Sequence, residues 1–172
     1  MKKDVLADGT PRFKILKPPF RDEKTRIGLF LGGSIEMGKA EDWQAKITEQ
    51  IKFMNVEIYN PRRDDWDSTW KQSIDSPAFN GQVTWELDHL ERADVILMYF
   101  DPNTMAPISL MELGLFAKDF TKKMVVYCPE GYFRKGNVDI VCQRYRIPVI
   151  SDETKLLGAL IDAINQVPIG GK

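Results

Sequence analysis

The chain has 172 residues, 43% of them hydrophobic, with 24 Lys and Arg against 25 Asp and Glu and a formal net charge of -1. That length and apolar content suit one domain able to bury a real core, and the near balance of charge removes any global electrostatic case for a nucleic-acid or membrane partner. Cys128 and Cys142 form no C-x-x-C pair and have only His89 to join them, so neither zinc nor a disulfide framework is expected. No apolar run reaches the roughly 20 residues that span a bilayer, and the chain's start lacks the apolar centre of a signal peptide, so a cytoplasmic location is expected.

Residues 1–25 are rich in Lys, Pro and Asp, include Lys17-Pro18-Pro19-Phe20, and are expected to form an irregular arm ahead of a single domain over 26–168. Ile27 to Leu31 predicts a buried first strand stopped by the turn Gly32-Gly33-Ser34. Trp43, Ile47, Ile51 and Met54 recur at helical spacing, and Val56 to Tyr59 is strand-like until Asn60-Pro61 ends it. Arg62 to Asn80, polar but carrying Trp66 and Trp70, predicts a long loop of the kind that often carries function. From Gly81, Val83, Leu87 and Leu90 mark a helix with Glu86 on or beside its inward face. His89 is expected on that helix's surface, and Asp94 as a cap or turn residue or a ligand contact.

Val95 to Phe100 predicts a central strand closed by Asp101, and Ser109-Leu110-Met111-Glu112-Leu113-Gly114 opens the next helix with Glu112 in its first turn. Met124 to Tyr127 is a fourth strand. Asn137 can cap a short helix ending near Tyr145, Pro148 to Ile150 is a fifth strand, and Ser151 or Asp152 caps a final helix.

Strands alternating with helices predict an α/β fold of the flavodoxin-like, or Rossmann-like, kind. It is a three-layer sandwich around a five-stranded parallel sheet in the order 2-1-3-4-5. The switch point then lies between the first and third strands, where the glycine turn and Glu112 line one crevice. A carboxylate there can serve as nucleophile or general base, or it can merely complement a helix dipole. Gly32-Gly33-Ser34 can cradle a phosphate or sugar hydroxyl with backbone N–H groups, or be only a turn. Neither G-x-G-x-x-G nor G-x-x-x-x-G-K-[ST] is complete here, which disfavours dinucleotide and P-loop readings. An inward Glu86 needs partners, and Trp66 can stack on a base or cover a core edge.

Four segments together resemble the nucleoside 2-deoxyribosyltransferase-like family, from about Ile27 to the last helix. They are Gly33-Ser34-Ile35, Asn60-Pro61-Arg62-Arg63, Glu86 eight residues ahead of Asp94, and Ser109 to Gly114. The resemblance implies that Glu112 is the nucleophile at the anomeric carbon of deoxyribose. It implies that Glu86, where relatives usually have Asp, contacts the base and moves its proton. Asn137 resembles an amide supplied by a neighbouring subunit, which implies a homo-oligomer, a dimer or larger.

The chemistry fits those residue types, because a carboxylate can stabilise oxocarbenium charge and then form a covalent glycosyl-enzyme without metal or cofactor. Gly33, Ser34, Ile35, Arg62, Trp66, Asp94, Asp101, Ser109 and Asn137 are the expected substrate contacts, with Asp101 on a sugar hydroxyl. The expected partners are a small nucleoside or nucleotide and a free nucleobase. Three activities remain open. They are deoxyribose transfer between bases, hydrolysis of a deoxynucleoside 5'-monophosphate with Ser34, Ser109 and Arg62 on the phosphate, and nucleotide binding without turnover.

Overall fold

A computed structural model describes residues 6, 7, 9, 11–36 and 40–168. Six parallel strands form one sheet: β1 (Phe13–Leu16), β2 (Ile27–Gly33), β3 (Val56–Tyr59), β4 (Val95–Tyr99), β5 (Lys123–Tyr127) and β6 (Val149–Ile150), in the order β1-β3-β2-β4-β5-β6. The five predicted strands keep their predicted order, and a sixth is added at the β3 edge. Within the arm, Phe13 to Leu16 pairs with Val56 to Tyr59. Four residues show too little alternation to announce a strand, and this one forms because β3 presents an open row of backbone groups.

Among the described residues, five α-helices cover the sheet: α1 (Trp43–Ile51), α2 (Pro77–Arg92), α3 (Pro107–Phe116), α4 (Lys135–Tyr145) and α5 (Glu153–Asn165). The strands are buried on both faces, as the near-continuous apolar runs require. One core packs Phe30, Trp85, Leu90, Ile96, Met98, Phe100 and Leu113 beneath the α2–α3 layer. The other packs Leu29, Leu31, Trp43, Ile47, Val95, Leu97 and Leu160 beneath α1 and α5. Among the described residues no helix is long and apolar enough to cross a membrane.

Two local expectations change. α3 begins at Pro107, preceded by Ala106 in the left-handed conformation, so Glu112 lies in the second turn. Proline is preorganised for the first helical position and moves the start ahead of Ser109. Asn137 is an exposed residue inside α4, whose first residue is Lys135, and so does not cap it. Asp152 does cap α5, its side chain accepting from Thr154 N.

Candidate active site

β2 and β4 meet in a tight joint at their carboxyl ends. Gly33 has φ of 142° and packs so closely on β4 that an added Cβ would stand 2.2 Å from Tyr99 O, which only glycine permits. Ser34 N then donates to Tyr99 O at 2.8 Å. The Ser34 hydroxyl, fully buried, accepts from Asp101 N at 2.9 Å and lies 2.6 Å from the Thr104 hydroxyl. Both ends of Ser34 are therefore engaged inside the protein. Among the described residues, α1 starts at Trp43, and Gly33, Ser34 and Ile35 close the carboxyl end of β2.

The β4–α3 loop is closed by its own side chains. Asp101 Oδ1 accepts from Asn103 N at 2.8 Å and from Asn103 Nδ2 at 3.1 Å. Glu36, arriving from the β2–α1 loop, accepts from Met105 N and from Ala106 N, the latter at 3.0 Å. Tyr132 donates its hydroxyl to Met105 O at 2.6 Å. These contacts set where α3 begins, and hence where Ser109 and Glu112 stand, three residues apart on one face of that helix. Both are buried, Glu112 at 5% exposure.

Glu86 comes to the same place from α2. Burial lifts its carboxyl to about 7, against one hydrogen bond from Gln82 that pulls the other way. Burial likewise lifts Glu112 to about 8, helped by the nearby charge of Glu86. Glu86 thus lies near enough for its charge to bear on the proton affinity of Glu112. Two buried carboxyl groups with raised proton affinity are candidates for acid–base chemistry.

The loop after β3 forms the remaining wall. Asn60 Oδ1 accepts from Arg62 N at 3.0 Å. Arg62 turns back to the start of α1 and the segment before it, donating to Gln44 Oε1 at 3.1 Å, Ala40 O at 3.3 Å and Glu41 O at 3.0 Å. Arg63 grips Asp65 through two hydrogen bonds of 2.9 and 2.8 Å. Trp66, 37% exposed, packs on Trp70 with ring centroids 5.2 Å apart.

Residues 26–132, more than half of the chain, match the family described as nucleoside 2-deoxyribosyltransferase like. The chain belongs to that family. The crystal structure of a conserved protein from Enterococcus faecalis V583 aligns with 83% of this chain and 99% of its own, at a TM-score of 0.56 and 14% identity. That likeness shows the α/β fold. No curated protein matches the chain.

Within this deoxyribosyltransferase-like fold, Asp94 is placed apart from Glu112 and the expectation for His89 is corrected. Asp94 stands at the amino end of β4, where its carboxylate accepts from Gly28 N at 2.8 Å and pairs with Lys24 at 2.7 Å. It joins β2 to β4 at the sheet edge opposite Glu112. His89 is buried at 1% exposure, stacked on Trp85 at 3.9 Å, with Nδ1 2.7 Å from Trp85 O. Burial pushes its pKa down. Helical spacing alone could not show that α2 is covered on this side by Tyr59. Sequence reasoning also missed Gln82, whose place one turn before Glu86 was the available signal.

Proposed function

We propose that the protein transfers 2-deoxyribose between nucleobases through a covalent glycosyl-Glu112 intermediate. The observation that carries this is the pair of buried carboxyl groups, Glu86 and Glu112, brought from two helices to the carboxyl edge of the sheet with their pKa values raised together. In the first half-reaction a Glu112 carboxylate oxygen attacks C1' of the sugar, the C1'–N bond breaks, and the departing base takes the proton held by Glu86. Positive charge developing on the sugar favours the ionised form of Glu112 and so leaves the proton on Glu86. In the second half a different base attacks C1', returns a proton to Glu86 and frees the Glu112 carboxylate. Retention of configuration follows from two displacements.

Asp101 is assigned to a sugar hydroxyl, Ser109 to the floor beside Glu112, and Trp66 with the Arg62 segment to the base. A 5'-monophosphate substrate is less well supported, because Ser34 and Arg62 are both engaged within the protein. Asn137, exposed in the first turn of α4, is available to a neighbouring subunit's site in a dimer or larger assembly.

The test is chromatography of purified protein incubated with deoxyinosine or thymidine plus excess adenine or cytosine. A new deoxynucleoside is expected, and it should vanish in Glu112→Gln, with a loss of at least about 10³-fold. Free base and deoxyribose without exchange would make the protein a hydrolase. Ligand binding that is untouched by Glu112→Gln, with no base released, would make it a binding module.

A further inference from the structure

Gln82 lies one turn before Glu86 on α2 and is buried at 5% exposure. Its Nε2 donates to Glu86 Oε1 at 2.6 Å and to Pro61 O at 3.2 Å, while its Oε1 receives a longer contact from Arg63 Nη1 at 3.4 Å. A primary amide has two N–H groups, and both are in use. Flipping the amide would turn its oxygen toward a carbonyl and a carboxyl at once, so its orientation is locked. Arg63 is itself held, chelated by Asp65 and placed 5.0 Å from the Trp70 ring centroid.

We propose that Gln82 is the positioning residue for Glu86, fixing which carboxyl oxygen faces the base and tying that carboxyl to the Pro61–Arg63 segment. The proposal rests on the reading that Glu86 handles the proton of the base. With Oε1 accepting from Gln82, the proton of the neutral acid belongs on Oε2, the oxygen left for the substrate. Once that proton has gone, the same N–H stabilises the carboxylate that remains. The charged groups near Glu86 are Glu112 from α3, whose proton affinity the Glu86 charge raises, and Arg63 from the β3–α2 loop, which reaches it through Gln82. Gln82 thus makes the acid a better proton donor than burial alone would allow.

The experiment is a carbon-detected NMR titration of the Glu86 carboxyl in the full chain, assigned with Glu86→Gln, in wild type, Gln82→Met and Arg63→Met. Gln82→Met keeps the length of the side chain and removes both donors. Its Glu86 midpoint should rise by about one pH unit, with a smaller rise in Arg63→Met. In the transfer assay the alkaline limb of the kcat profile should move by the same amount. kcat should fall roughly ten- to hundredfold, while KM changes less than about threefold. An unmoved Glu86 midpoint in Gln82→Met overturns the proposal even if transfer is active. Should Gln82→Met not fold, an unmoved midpoint in Arg63→Met overturns it. Absence of base release from every deoxynucleoside, in wild type as well, overturns the transfer reading instead and leaves the titration to decide on Gln82.

Discussion

Burying Glu112 and Glu86 together makes the folded protein bind protons more tightly than its unfolded chain does. Their folded values stand near 8 and 7 against an ordinary 4.5. The stability they contribute is therefore fully present below about pH 4.5 and is lost as pH rises through the folded values. Glu112→Gln removes one of the two titrations and keeps the shape. Thermal melts should show the variant ahead of wild type at pH 8.5 by on the order of 1–3 kcal/mol, with little or no gain at pH 4.5. An equal difference at both pH values would mean that Glu112 ionisation costs the fold nothing. Both glutamates were legible as residue types at the right spacing. Gln82 was not, because an uncharged amide announces no chemistry until its two partners are seen.

Among the elements, the joint between β2 and β4 decides whether a crevice exists. Gly33→Ala would set a methyl group against the Tyr99 backbone, which belongs to the central strand and cannot yield. We expect it to cost more than about 3 kcal/mol. In Gly158→Ala, by contrast, the new Cβ meets nothing within 4 Å in the interior of α5, and the change should stabilise by about 0.5–1 kcal/mol. Denaturant midpoints of the two variants check both signs. The turn itself could be read from the sequence, but its tightness could not, because the clash comes from a residue 66 positions away. The arm shows the same limit. Trp85 donates its indole N–H to Phe20 O at 2.8 Å and Arg21 pairs with Asp88 at 2.5 Å, contacts that hold the chain leaving β1 against α2.

For the whole molecule, the outer face of α3 stands out. Ile108, Met111 and Leu115 follow one another at spacings of three and four and are 55%, 52% and 57% exposed, with Met105, 60% exposed, in the loop just ahead of the helix. The stripe lies on the helix that carries Glu112, and it is the face we expect a second copy to cover. Ile108→Lys with Met111→Lys should lower the mass measured by light scattering to that of one chain. Transfer activity should fall with it if Asn137 serves a neighbouring site. A wild-type protein that is monomeric at working concentration would remove Asn137 from the mechanism.

The sequence by itself determined the alternation of strands and helices and the parallel order of five strands, and it singled out Glu86 and Glu112 as the candidates for chemistry. Local hydrophobic periodicity and residue type carry that information, and neither depends on distant neighbours. Only the tertiary structure decided that residues 13–16 add a strand, that Asp94 lies at the far edge of the sheet, that His89 is enclosed by aromatic rings, and that Ser34 spends its hydroxyl on the β4–α3 loop. Each of these is settled by a partner many positions away in the chain. What a side chain faces after folding also sets its exposure and proton affinity, and spacing along the sequence cannot express that.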